Sequence, residues 1–532
     1  MLSLLTLFPL FLGSIHGVDE TGTNLDEQFF SWSVQSLELP ATSGEDFQVS
    51  VVLDDVFDTE LVLHPYSVRA DNFTVWEQGA DGTLRAVAAP AISTYRGFVA
   101  GIPDSQVSAN LHNGQLRASI FLGAGNGMRV IQPLSELEEG AASNLHVVYD
   151  TAELVPDNQW VMAEPLIAEG SEIPHATGVS PSGPGAHAPN SPGSINSWGT
   201  PFGISPAPGA FNGSGGGAGR SADKTVAIGC DADYEFYKKN GNSTSNTVQD
   251  IEDIINDVEV IYQRDVSVCW RISSVVVRTS SASDPYTSNN ASTLLNQVQA
   301  EWNANQTHIA RDVVQLFTGR SVSGSTIGIA YLGVVCKSGI HYSMVQSRYT
   351  SNWSRRIALS AHELGHTWGA DHCCSSSSGC SGCHIMCPGM GGCSGNVSKF
   401  GSQSISSINQ YRNNSAACAV DGCGTGPSMT LSAPSPGIAG RYNKVSIKNG
   451  EANGSAFFLF SFNNNGTTSV PGCSGLTLDI KGARLAGSIS LDQNGYGEFL
   501  GVVPGSVAGR TIYLQSADTN VCTISNLVTY TF

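Results

Sequence analysis

A chain of 532 residues is long enough to bury two to four separate cores. Only 13% of its residues are charged, and 45 acidic against 26 basic side chains leave a net charge of −19. Such a surface repels phosphate backbones and anionic lipid, which argues against nucleic-acid and membrane-surface partners.

The chain opens on an almost wholly apolar run, Leu2 to Leu12, followed by the small residues Gly13, Ser14 and Gly17. That length suits the h-region of a signal peptide over residues 1–17 and predicts a secreted, extracellular protein. No other apolar run approaches the ~20 residues a membrane span needs, so no span is expected. Residues 18–163 alternate in short strand-like runs, among them Phe47–Leu53, Leu61–Val68, Leu116–Phe121 and Met128–Gln132. They predict a β-rich domain. Over residues 164–223 the composition shifts to Gly, Ser, Pro, Ala and Asn, which cannot offset its own ordering entropy. This segment reads as a linker and as the natural place for proteolytic release of what precedes it. Its glycine run, 213–219, lacks the flanking strand and helix of a phosphate loop.

Residues 224–424 change register to an α/β pattern. A strand is expected at Thr225–Gly229, then a helix opened by a capping box at Asn246 and Gln249. That helix carries Val248, Ile251, Ile255, Val258 and Tyr262 at helical spacing. A strand at Ile272–Arg278, a helix with Leu295, Val298 and Trp302, and strands at Val313–Phe317 and Thr326–Leu332 follow. His308 has the chemistry of a ligand, but a structural polar role is the better reading. A last helix is expected near Ile405–Tyr411.

Within this region stands His362-Glu-Leu-Gly-His366-Thr-Trp-Gly369-Ala-Asp-His372. Residues four apart on a helix lie about 40° from each other, so His362 and His366 face one way. Ile357, Ala361, Leu364 and Trp368 fall on the opposite face and can be buried. Gly369 permits a sharp turn that brings His372 round as a third ligand. Three imidazoles and a water suit one catalytic Zn2+, and Glu363 is placed as general base, not ligand. The sequence leaves a structural Ca2+ open.

The long motif resembles that of the metzincin zinc peptidases. In that family a methionine turn follows the third histidine, which Cys383-His384-Ile385-Met386-Cys387 matches; Met386 would underlie the metal as packing, with Met390 the weaker candidate. Tyr95-Arg96-Gly97-Phe98-Val99-Ala100-Gly101-Ile102-Pro103-Asp104-Ser105, then Gly114, Leu116, Ile120, Ile131–Leu134 and His146, resemble the propeptide of the adamalysin/reprolysin branch. His308, Asp312, Leu316, Thr318-Gly319, Thr326, Gly328, Ala330 and Cys336 are similar to its catalytic domain. The resemblance implies that Thr326–Tyr331 is a sheet edge where a peptide substrate adds as a strand, and that Cys336 bridges to Cys418. Two departures stand out. Cys373 occupies the place where that branch has an aspartate, and no cysteine precedes Cys230 to cap a metal. Latency would then act sterically or through another ligand such as a carboxylate.

Six of the 13 cysteines crowd around the motif: Cys373, Cys374, Cys380, Cys383, Cys387 and Cys393. Cys380-x-x-Cys383 has no partner pair at finger-like spacing, so disulfides account for them better than a second zinc cluster. Residues 425–532 alternate in short runs (Asn443–Ile447, Ala456–Phe462, Leu476–Ile480, Ile489–Leu491, Ile512–Gln515, Val528–Phe532) and predict a β-sandwich, with Cys473 and Cys522 as candidate staple.

The sequence thus predicts a multidomain chain: an α/β metzincin-type catalytic domain flanked by an N-terminal β-rich prodomain and a C-terminal β-sandwich. Its expected function is a secreted, monomeric zinc endopeptidase acting on proteins or peptides. A secreted binding or adhesion protein on an inactive peptidase fold is the alternative from another class. A zinc hydrolase of non-peptide substrates is the third.

Overall fold

The computed structural model describes residues 25–53, 58–102, 105–123, 127–157, 159–167, 224–373, 384–389, 397–423, 429–451, 454–471, 477–492, 495–519 and 523–532. The signal-peptide stretch, nearly all of the linker, Met390, Cys473 and Cys522 lie outside these residues. Contacts divide the chain into two units: residues 1–168 belong with 225–420, and 421–532 belong to the second.

The first unit is built on a mixed sheet. Across it run Val161–Met162, Thr326–Ala330, Tyr342–Val345, Val313–Phe317, Lys224–Ala232, Val268–Arg278, Arg69–Gln78 and Leu84–Val87. Alternate residues of these strands point to opposite faces. Val313, Phe317, Ile327, Val275 and Val277 share one core with the long helix Thr244–Val266 and with Trp353–Thr367, which carries the histidine motif. Val314, Leu316, Ile329 and Val276 face the other way, onto the helix Ala291–Asn305 through Leu294, Leu295, Val298 and Trp302. Every residue of Val268–Arg278 is buried.

One expectation about the long helix is corrected. It begins two residues before Asn246, because Ser243 is its N-cap: the Ser243 side chain accepts the Asn246 N–H at 3.2 Å. Asn246 is therefore inside the first turn, where its amide donates back to the Asn240 carbonyl at 3.4 Å. The last helix, Ser402–Asn414, starts three residues before the apolar periodicity indicates.

The N-terminal part forms an eight-stranded antiparallel sheet, ordered Ser33–Ser36, Leu145–Asp150, Met128–Pro133, Gln115–Phe121, Gln106–His112, Thr94–Val99, Asp58–Pro65 and Phe47–Val52. Leu61, Leu63, Val107, Leu116 and Ile120 build its own core on one side. It is not confined to that sheet. The strand Arg69–Gln78 leaves it to lie parallel to Val268–Arg278, and Val161–Met162 lies parallel to Thr326–Ala330. Both ends of the central sheet are thus occupied by N-terminal residues. Cys336 and Cys418, 82 residues apart, form the expected disulfide.

In the second unit a sheet of Thr430–Leu431, Tyr442–Lys448 and Gly497–Val502 shares a core with a five-stranded sheet centred on Ser455–Ser461 and Thr511–Asp518. Ile447, Ala456, Phe458 and Val528 fill the space between them. Two expectations shift. The run Leu476–Ile480 forms only the two-residue strand Thr477–Leu478, and Ile489 lies near the end of a longer strand, Arg484–Ser490, that stops before Leu491.

Candidate metal centre and its cleft

The geometry starts from the ends of one helix. Asn352 caps it, its side chain accepting the Arg355 N–H at 3.2 Å. At the other end Gly369 takes a φ of +82°, while the Gly369 and Ala370 amides close back on His366 and Gly365 at 2.8 and 3.0 Å. That left-handed stop suits glycine, and it reverses the chain so that His372 returns to the helix.

The three Nε2 atoms of His362, His366 and His372 stand 2.9, 3.0 and 3.2 Å from one another. Each ring is held by its other nitrogen. Nδ1 of His362 donates to the Ile385 carbonyl at 2.6 Å, that of His366 to the Ala370 carbonyl at 2.7 Å, and that of His372 to Glu164 Oε1 at 3.2 Å. These bonds put the proton on Nδ1 and leave three Nε2 lone pairs aimed at one point. Burial, and then the neighbouring imidazoles, push His362 well below the usual histidine range. The same causes take His366 down to about 3. Neutral imidazoles facing each other with no donor between them are the arrangement a cation requires. The triangle has the size set by ligands ~2.0–2.1 Å from one zinc ion. The residues present therefore fit one divalent metal, and they are the group of this kind among the described residues.

Glu363 is fully buried, and neither carboxylate oxygen has a hydrogen-bond partner among the described residues. Burial pushes its pKa well above the carboxylate range. It reaches this position because the neighbouring strand has glycine there: a Cβ on Gly328 would stand 2.3 Å from Glu363 Oε1. Met386 is buried beneath the helix, its Sδ 2.6 Å from where a Cβ on Gly365 would be. His308 is on the surface, its ring 5.4 Å from that of Trp76, and takes no part in the cluster.

A strap of the N-terminal part lies along the cleft. Val161 N–H donates to Ser325 O at 2.9 Å, Ala163 N–H to Gly328 O at 3.0 Å and Leu166 N–H to Ala330 O at 2.9 Å; Leu332 N–H returns to Leu166 O at 2.9 Å. On the opposite rim Met162 N–H donates to Pro388 O at 2.8 Å. Residues 164–166, which composition places in the linker, are thus fixed against the strand beside Glu363.

Residues 222–417 match the reprolysin-type model of metallo-peptidase family M12 (Reprolysin_5). The chain carries a reprolysin-like domain of that family. The mouse disintegrin and metalloproteinase domain-containing protein 19 is 31% identical over 168 residues, which is 30% of this chain. The matched part spans only 18% of that relative's length. Metalloproteinase-II of Bacteroides fragilis aligns over 69% of this chain and 92% of its own, at 10% identity and a TM-score of 0.36.

Sequence reasoning brought the three histidines, Glu363 and Met386 of the M12 domain to one place, and the structure puts them together. It missed the strap. Val161–Met162 is a strand of two residues, too short for any alternation to show, and Glu164-Pro165 continues the composition of the segment that follows. Gly328 was noted only as part of a resemblance; its close approach to Glu363 gives the reason for a glycine there.

Proposed function

We propose that the chain is an exported zinc endopeptidase, made as a precursor whose cleft is filled by its own residues 161–166. The observation that carries this reading is the convergence of three Nε2 atoms beside a buried, unpartnered Glu363 carboxylate. His362, His366 and His372 would hold the metal. When bound, zinc lowers the pKa of a water to about 7 and polarises a carbonyl.

The chain's own groups supply the remainder. Glu363 accepts the proton of the attacking water and passes it to the leaving amine nitrogen. Ile385 O and Ala370 O keep His362 and His366 in the tautomer that presents Nε2, and in the precursor Glu164 does the same for His372. Met386 packs under the helix and fixes its height. With the strap removed, the N–H and C=O groups of Thr326–Ala330 that it uses are free to take a peptide as an added strand. Latency of this kind needs no cysteine, because the strap occupies the site sterically. The apolar run at Leu2–Leu12 and the Cys336–Cys418 bridge support export.

The test compares intact protein with protein cut within residues 168–223, on casein, with metal content measured alongside. Cut protein should hold one zinc per chain and cleave casein, and a chelator should stop it. Glu363→Ala should keep the metal and lose ~10²–10⁴-fold in rate. Metal-loaded, cut protein that cleaves no polypeptide would sink the peptidase reading and leave the binding-protein alternative.

A further inference from the structure

We infer that the N-terminal part is a lasting subunit of the enzyme: when the chain is cut within residues 168–223, residues 25–160 stay on the M12 domain as a noncovalent second chain while the strap 161–166 is free to leave the cleft. The inference rests on the precursor reading only for the cut itself. What holds the two parts together is read from the far end of the central sheet, away from the cleft.

There Arg69–Gln78 pairs with Val268–Arg278, in register from Ser274 opposite Thr74 to Arg278 opposite Gln78. The whole of Val268–Arg278 is buried, so losing its neighbour would open the backbone edge from Ile272 to Arg278 to solvent. The last pair is pinned by side chains. Fully buried Arg278 donates to Gln78 Oε1 at 2.8 Å, and Thr279 gives both its N–H and its hydroxyl to Gln78 O at 3.0 Å.

The long helix makes the second attachment. Its carboxylates Glu252, Asp253, Asp257 and Glu259 are at most 3% exposed, a burial that charges tolerate only when paired. Arg69 engages both oxygens of Glu252. Arg117 and His112 reach Asp253 at 3.1 and 2.8 Å, and Ser108 reaches Asp257. Arg96 and the Tyr66 hydroxyl reach Glu259 at 3.1 and 2.8 Å, beside Arg271 of the M12 domain itself. Between these ion pairs, the Asn256 amide donates to the backbone carbonyls of Tyr95 and Ala109 at 3.3 and 3.1 Å. A third attachment is apolar: Val75, Phe121 and Tyr149 share one core with Ile251, Val258 and Trp353. An interface with a continuous core and buried ion pairs, that of Arg69 with Glu252 bidentate, is of the permanent kind. The partner it fits is this segment of the same chain.

The experiment uses the full-length protein, nicked by limited proteolysis in the linker. On a denaturing gel the two pieces separate. In native gel filtration they should co-elute at about 0.1 M and at about 1 M salt, since buried pairs are screened far less than exposed ones. Amides of Val268–Arg278 should keep their hydrogen-exchange protection within about tenfold of the intact chain. An N-terminal piece that elutes alone, or a loss of protection in that strand, overturns the inference. Neither readout uses catalysis, so failure of the peptidase reading is seen separately, in the casein assay.

Discussion

The two ends of the central sheet are both closed by N-terminal residues, and they are closed in opposite ways. At the cleft the closing strand is two residues long, its register is irregular, and Glu164 beside it is 80% exposed. At the far end the closing strand has ten residues, its neighbour is buried throughout, and arginines from three strands reach buried carboxylates. A handful of backbone hydrogen bonds contributes ~0.5–1.5 kcal/mol each and exchanges readily for those of a substrate. Buried ion pairs embedded in a shared core do not exchange with anything water offers. On the proposed reading, one segment of chain therefore supplies a removable closure and a permanent one.

The sharpest way to break this contrast is Arg69→Ala. Glu252 would keep its burial and lose the guanidinium that engages both its oxygens. The expected loss is on the order of 3 kcal/mol, read as a lower urea midpoint. A loss of ~0–1 kcal/mol would put Arg69 among ordinary surface pairs and remove the distinction between the two ends.

A smaller effect is expected from Ala163→Pro at the cleft. It deletes the N–H that donates to Gly328 O at 3.0 Å and leaves the strap's other bonds in place. Global stability should fall by no more than ~1 kcal/mol. The Leu332 amide, held by Leu166 O, should exchange about tenfold faster, while amides of Val268–Arg278 keep their rates. In the uncut protein casein cleavage should rise above its resting level. Equal loss of protection at both ends would show that the two closures open as one unit.

Legibility in the sequence follows the range of the interactions involved. His362, Glu363 and His366 share a helix, and Gly369 with its φ of +82° is local too, so spacing was enough to propose the three histidines and Glu363, while Met386 needed the resemblance. The far-end strand Arg69–Gln78 was not seen as part of the M12 sheet, because what it satisfies lies nearly 200 residues on, at Glu252 and Arg278. Read alone, its Arg, Asp and Glu look like a solvated loop. The helix start moved from Asn246 to Ser243 because two good capping residues stand three apart and only backbone geometry chooses between them. In the second unit the strand Gly497–Val502 went unread; glycines at 497 and 501 interrupt the alternation, and the register with Tyr442–Lys448 supplies the pairing instead.

The smallest expected effect is a pH dependence confined to the far closure. Burial works to push His112 down, but the Asp253 carboxylate at 2.8 Å outweighs it, with Asp250 helping and Arg117 opposing, so its pKa is raised in the folded protein. A raised value means the folded state binds the proton more tightly than the unfolded chain does. The stabilisation is therefore fully present below the unfolded-state value of about 6.5 and is lost as the pH rises through the folded-state value. His112→Gln removes the titration. The stability gap between wild type and His112→Gln should accordingly be wider at about pH 5.5 than at about pH 8.5, measured by urea unfolding. The Ala163→Pro variant should show the same pH dependence as wild type, because the strap makes no contact with His112 or Asp253. A gap that instead widens towards alkaline pH would mean the imidazole is held neutral, and that Arg117 alone balances Asp253 at this end of the sheet.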